Sequence, residues 1–182
     1  MTPYQRFRFA VSGLRRIRLR AWGVDRDAFI GPGVKLASGV EAHPHAFFGA
    51  ECRIGPNTSI GRFTMLAARV SVVGADHHFE DPTRPMVFSG RPALPRTIIG
   101  ADCWLGHGVV VMAGVTIGDG AIVAASSVVT KDLEPRGIYA GAPAQLLRKR
   151  FDTLEDEQTH REMLEKGLIE PHFERRHKTI LN

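Results

Sequence analysis

The chain has 182 residues, 43% hydrophobic and 24% charged, which fits one globular domain or one repeat array with tails and excludes a disordered chain. Its net charge of +5 is local: residues 1–22 hold six arginines and no acid, leaving 18 basic against 19 acidic residues elsewhere, so a domain-wide nucleic-acid footprint is excluded. No apolar run approaches the ~20 residues that span a bilayer, and the interrupted, arginine-rich start does not read as a secretory signal, so a cytoplasmic protein is expected.

Residues 1–25 read as a basic amphipathic arm. Over 4–21 the spacing predicts a helix with Phe7, Ala10, Val11, Leu14, Ile17 and Ala21 on one face and the arginines largely on the other. Such a helix packs on the body of the protein or on a neighbouring subunit, or it lies on an anionic membrane surface. The second outcome makes the protein membrane-peripheral.

From Ile30 a different period begins. Aliphatic or aromatic residues recur every six positions at Ile30, Leu36, Ala42, Phe48, Ile54, Ile60, Leu66 and Val72, and again at Ile99, Leu105, Val111, Ile117, Val123 and Val129. The fourth residue after most of them is small or β-branched, and glycine often follows directly, as at Gly49, Gly61, Gly100 and Gly106. Neither a helix nor a flat sheet has a period of six. A solenoid whose coils have three short flat sides does, with one inward residue per side. This array is expected to fill residues 26–147, and a triangular prism of this kind lends itself to a trimer. Cys52 and Cys103 occupy small-residue slots, so both are expected buried, reduced and structural.

Residues 73–98 interrupt the array with four prolines and the run Asp76-His77-His78-Phe79-Glu80-Asp81. The interval from Val72 to Ile99 is 27, not a multiple of six, which predicts a register reset and a long projecting loop. Long loops in compact arrays are usually functional. An imidazole can take a proton at neutral pH, so His77 or His78 is a candidate general base, with Asp76, Glu80 or Asp81 near enough in sequence to orient it. The pair His43 and His45 lacks further ligands for a metal. No serine nucleophile elbow and no phosphate-binding glycine loop is present. Residues 148–182 read as a helical tail, with a helix from Asp152 to Gly167 and with His160, His172 and His177 as solvated surface histidines.

The run IIGADCWLGHGVVVMAGVTIGDGAIVAASSVVTKD, followed by YAGAPAQLLRK, closely resembles the hexapeptide-repeat acetyltransferases of the sugar O-acetyltransferase type. The resemblance covers roughly residues 30–150 and implies an all-β solenoid, a left-handed parallel β-helix with helical extensions, working as a homotrimer. It implies acetyl-CoA as co-substrate, held in a groove between subunits. By position, Trp104, Gly106 and His107 would line the thioester end, Ala125, Thr130 and Lys131 would follow the pantetheine and phosphates, and Arg148 would meet a further phosphate. The family's catalytic histidine falls on His77, with His78 as the alternative. The implied reaction is direct transfer to a hydroxyl of a sugar, polysaccharide or glycolipid precursor, with an N–H near Gly106 stabilising the developing oxyanion.

There are departures. His107 stands where several relatives have a small residue, Gln145 stands where some have a second phosphate-contacting arginine, and the acceptor-facing asparagine of some relatives is unmatched. The DHHFEDPTRP loop looks more like that of members acting on surface polysaccharides. N-acetylation of an amino sugar and a non-catalytic trimeric scaffold are the alternative readings. The zinc carbonic anhydrases that share the fold need three spaced histidines. This chain offers His77, His78 and His107 without such spacing, so no metal is expected.

Overall fold

A computed structural model of the chain describes residues 3–74 and 76–166. It opens with α1 (Pro3–Arg18). The first coils follow as β1 (Phe29–Ile30), β2 (Lys35–Leu36), β3 (Glu41–Ala42), β4 (Phe47–Phe48), β5 (Arg53–Ile54), β6 (Thr58–Ile60), β7 (Met65–Leu66) and β8 (Ser71–Val73). Beyond the loop come β9 (Thr97–Ile99), β10 (Trp104–Leu105), β11 (Val110–Met112), β12 (Thr116–Ile117), β13 (Ile122–Val123), β14 (Val128–Val129), β15 (Gly137–Ala140) and β16 (Gln145–Lys149).

These strands build three walls. Wall one stacks β1, β4, β7, β10, β13 and β15 in parallel, and β16 adds antiparallel to β15. Wall two stacks β2, β5, β8, β11 and β14, and wall three stacks β3, β6, β9 and β12. Partners lie 18 residues apart, as in Phe29 with Phe47 and Trp104 with Ile122, so three hexads make one coil.

The six-residue lattice packs the interior. Ile30, Phe48, Ile60, Leu66, Ile99, Leu105, Val111, Ile117, Val123 and Val129 are all buried, with Leu36 half-buried at the first coil. The small slots Ala46, Cys52, Thr64, Cys103 and Ala121 fill beside them. Each fully buried aliphatic stabilises by roughly 1.5–3 kcal/mol, against the entropy of ordering the chain. Glycine after the inward residue answers a close approach between coils. A methyl on Gly106 would lie 2.6 Å from the Ala125 nitrogen.

A second six-residue lattice runs through the corners, three positions after each inward residue. Gly33, Gly39, His45, Glu51, Asn57, Phe63 and Arg69 all have positive φ, as do Asp102, Gly108, Gly114, Gly120 and Ser126 in the second block. The left-handed conformation turns the chain from one wall to the next.

The register is not reset at the interruption. Across it, Met65 pairs with Trp104 and Ser71 with Val110, 39 residues apart instead of 18. The difference of 21 is an insertion between β8 on wall two and β9 on wall three. The chain leaves at one wall and resumes at the next, so no strand is lost.

α1 docks in an unexpected orientation. β1 is the open edge of wall one, and its backbone groups need partners. Ser12 Oγ accepts the Ile30 N–H at 2.7 Å, and Arg15 Nη1 donates to the Ile30 carbonyl at 2.9 Å. Phe9 meets Phe29 edge-on at 6.1 Å. The expected apolar face therefore points away from the solenoid: Phe7, Ala10, Leu14 and Ile17 are exposed, and Ala21, just past the helix, is buried.

Among the described residues, 151–166 form a separate unit. Its helix α2 (Leu154–Lys166) is capped by Thr153, whose Oγ1 accepts the Asp156 N–H at 3.0 Å, with acids filling the first turn. His160, expected in solvent, is buried, with its ring 5.1 Å from that of Phe151. His172 and His177 lie outside the described residues. No described helix is long and apolar enough to cross a membrane.

Candidate active site

The 21-residue insertion opens at the corner between walls two and three. Its root is held by the Ala113 N–H donating to the Val73 carbonyl at 2.7 Å, and its return by the Thr97 N–H donating to the Asn57 carbonyl at 3.0 Å. Two further bonds brace it: His78 N–H to the Gly90 carbonyl at 3.1 Å, and Asn57 Nδ2 to the Leu94 carbonyl at 3.1 Å. A 3₁₀ turn at Met86–Phe88 carries apolar side chains outward, with Phe79, Met86, Val87 and Phe88 all exposed.

The two loop histidines differ. His78 is exposed. His77 is half-buried, and its Nδ1 is shut off from solvent with no hydrogen-bond partner among the described residues. Its Nε2 lies 3.4 Å from both Nε and Nη2 of Arg91. A guanidinium has only N–H groups to offer, so in this contact Nε2 is the accepting nitrogen. Of the acids placed near the histidines by sequence, Asp81 is committed elsewhere. Its Oδ1 accepts the Thr83 hydroxyl at 2.7 Å and the Thr83 N–H at 2.9 Å, which holds its carboxyl below the usual range.

Arg91 was invisible to the sequence reading. It lies 14 residues from His77 with no motif joining them, and only the folding back of the loop brings them together.

Thr130 and Lys131 are exposed just past β14. Val128 and Val129 stack on Val110 and Val111, while Met112 stacks on Val73, so Thr130 and Lys131 stand on the same corner as the loop root. The other residues singled out in the sequence lie elsewhere. Trp104 is half-exposed on the outer face of wall one, in register between Met65 and Ile122. Gly106, His107 and Ala125 stack at the corner between walls one and two, where the His107 carbonyl accepts the Ser126 N–H at 2.8 Å. Arg148 is exposed on β16, opposite Ile138 at the far edge of wall one.

The nine residues thus form two groups. His77, His78, Thr130 and Lys131 share the corner of walls two and three. Trp104, Gly106, His107, Ala125 and Arg148 belong to wall one and its corner with wall two. The full width of wall two separates the groups within one chain.

The Gly106 N–H itself donates to the Val123 carbonyl at 2.8 Å as part of the coil ladder, so an oxyanion donor near Gly106 would be a neighbouring N–H.

The two thiols are inert fillers. Burial pushes Cys52 up to about 11 and Cys103 up to about 12, and their sulfurs donate to the Ala67 and Gly118 carbonyls. Among the described residues no three His, Cys, Asp or Glu side chains come together as a metal site would require.

Residues 96–131 match the family described as bacterial transferase hexapeptide (six repeats). The chain is 40% identical over 113 residues to a probable macrolide acetyltransferase of Lysinibacillus sphaericus, covering 54% of this chain and 63% of that one. It is 33% identical over 135 residues to the galactoside O-acetyltransferase of Escherichia coli K12, covering 71% and 64%. The chain therefore spans less than two thirds of the length of either relative. Among solved structures it resembles the hexapeptide-repeat acetyltransferase VCA0836 of Vibrio cholerae O1 biovar eltor, complexed with acetyl coenzyme A. The TM-score is 0.67 and the identity 26%, covering 84% of this chain and 81% of that one. This likeness gives the coils their hand: the solenoid is a left-handed parallel β-helix.

Proposed function

We propose that this chain, whose residues 96–131 match the bacterial transferase hexapeptide family, moves an acetyl group from acetyl-CoA to a hydroxyl of a sugar or glycan precursor. The observation that carries the reading is the opened corner between walls two and three. Its insertion presents a half-buried His77 whose Nε2 faces Arg91, on the corner that also carries Lys131. The galactoside relative supports a sugar acceptor, and the acetyl-CoA-bound relative supports the donor.

His77 acts as general base in this reading. Arg91 swings from Nε2 as the acceptor hydroxyl replaces it, and Nε2 takes the hydroxyl proton. The acceptor oxygen forms the ester bond to the acetyl carbon as the carbon–sulfur bond breaks, and His77 returns the proton to the departing sulfur. Holding both substrates in line lowers the entropic part of the barrier. Lys131 and Arg148 are the exposed cations suited to the phosphates of the donor. With the Gly106 N–H itself committed to the ladder, a neighbouring backbone N–H of the same corner stabilises the oxyanion in this reading.

The acting unit is a homotrimer. Two groups of residues that wall two separates in one chain can meet only when one copy's loop corner faces another copy's wall one. The exposed Phe79, Met86, Val87 and Phe88 of the loop supply apolar surface for that contact. The reading places the protein in the cytoplasm, which supplies acetyl-CoA.

Thiol release from acetyl-CoA is measured against a panel of sugars, amino sugars and glycolipids. The expected best acceptor is a hydroxyl, and His77→Ala lowers turnover on it by ~10²–10⁴-fold while His78→Ala changes it little. Full activity in His77→Ala refutes the base. Preference for an amino sugar converts the assignment to N-acetylation. A monomer by light scattering refutes the shared site.

A further inference from the structure

The orientation of α1 leaves an apolar stripe without a partner. Phe7, Ala10, Leu14 and Ile17 follow one another at intervals of three, four and three, which places them on one helical face. Phe7 is 66% exposed, Leu14 68% and Ile17 57%, and just past the helix Trp22 is 74% exposed. The helix cannot roll to bury them. Ser12 and Arg15, on the other side, are bonded to the backbone of Ile30, and release would leave the open edge of β1 unsatisfied.

We propose that this stripe is a docking surface for an anionic lipid bilayer, with α1 lying flat in the headgroup region and the solenoid held above it. The occupant follows from charge. Residues 1–22 contain six arginines and no acid. Arg18 and Arg20 are exposed beside the apolar stripe. Two copies meeting stripe to stripe would bring these arginines together with nothing in the segment to neutralise them. A leaflet of anionic lipids supplies the opposite charge for the arginines and an apolar interior for Phe7, Leu14 and Ile17. Trp22 has the amphipathic ring that settles at the membrane–water interface. At 16 residues α1 is about 24 Å long, which suits lying in the interface rather than crossing it. The inference stands apart from the catalytic reading.

The test is flotation of the full chain with phosphatidylcholine vesicles, with and without phosphatidylglycerol. Roughly tenfold more protein is expected to float with the anionic vesicles, with the excess lost at high salt. Leu14→Glu combined with Ile17→Glu, both at exposed positions, is expected to remove the excess while leaving the oligomer mass and transfer to a water-soluble acceptor unchanged. Arg18→Glu is expected to lower it in part. The proposal is overturned by equal flotation on both vesicle types, by no flotation at all, or by a Leu14→Glu/Ile17→Glu chain that floats like the parent. It is also overturned if that double variant dissociates the oligomer, which would assign the stripe to a second copy.

Discussion

Two corners of the same prism begin from the same hexad and end as different structures. Where wall one turns into wall two, successive coils sit backbone on backbone. A methyl on Gly49 would lie 2.6 Å from the Ala67 carbonyl carbon and the Ala68 nitrogen. Where wall two turns into wall three, the third coil opens at Val73 into 21 extra residues and closes again at Thr97. The repeat tolerates this because each wall needs only its own strand back in register. The lengthened connection adds loop-closure entropy that grows slowly with length. The tight corner is held by backbone stacking from coil to coil, and the opened corner is free to carry a long loop.

Substituting one glycine at each corner tests that contrast most strongly. Gly49→Ala forces a methyl against three backbone atoms of the next coil, the nearest at 2.6 Å, and nothing there can give way. A loss of about 1–3 kcal/mol is expected, or roughly 3–10 °C in melting temperature for a chain of this size. In the insertion at the opened corner, a methyl on Gly90 meets nothing within 4 Å, so only its left-handed φ of 74° opposes the change. A loss below about 1 kcal/mol is expected there. Equal melting shifts in the two variants would mean that the corners are mechanically alike.

Lys131→Ala sharpens the functional side of the same contrast. If Lys131 meets a phosphate of the donor, its loss raises KM for acetyl-CoA roughly tenfold and leaves kcat nearly unchanged, since the contact is made equally in ground and transition states. Initial-rate kinetics at fixed acceptor separate the two constants. A fall in kcat with KM unchanged would place Lys131 beside the reacting atoms instead.

What could be read in advance follows the strength of the physical signal. The inward lattice was legible because burial selects residue type at every sixth position, and each of those side chains is where the spacing put it. The corner lattice was not, although it has the same period. Left-handed φ favours glycine, yet only Gly33, Gly39, Gly108, Gly114 and Gly120 announce it. His45, Glu51, Phe63 and Arg69 occupy the same conformation without any compositional mark, His45 and Phe63 stacking ring on ring at 5.4 Å. The helix was legible over its length but not in its orientation, because the hydrogen-bonding groups of the β1 edge outweighed the pull of the apolar face. For the candidate site the sequence offers a set of residues and no arrangement of them. Its division between two corners was not legible, since spacing along the chain does not reveal which wall a residue decorates. Arg91 carried no signal at all.

The smallest expected effect probes how much strain the corner lattice holds. Ser126 and Gly108 are the left-handed residues of successive coils at the tight corner, with φ of 60° and 69°. A non-glycine residue in that conformation costs about 1–2 kcal/mol, while glycine brings extra entropy to the unfolded chain, a penalty of about 0.5–1 kcal/mol. The two terms nearly cancel, so Ser126→Gly is expected to stabilise by less than about 1 kcal/mol, and Gly108→Ser to destabilise by a similar amount. The Ser126 N–H bond to the His107 carbonyl survives either exchange, because it is made by backbone. Thermal melting of both variants measures the conformational term twice, with opposite sign. Shifts of the same sign would show that side-chain contacts at the corner, not backbone conformation, decide which residue it holds.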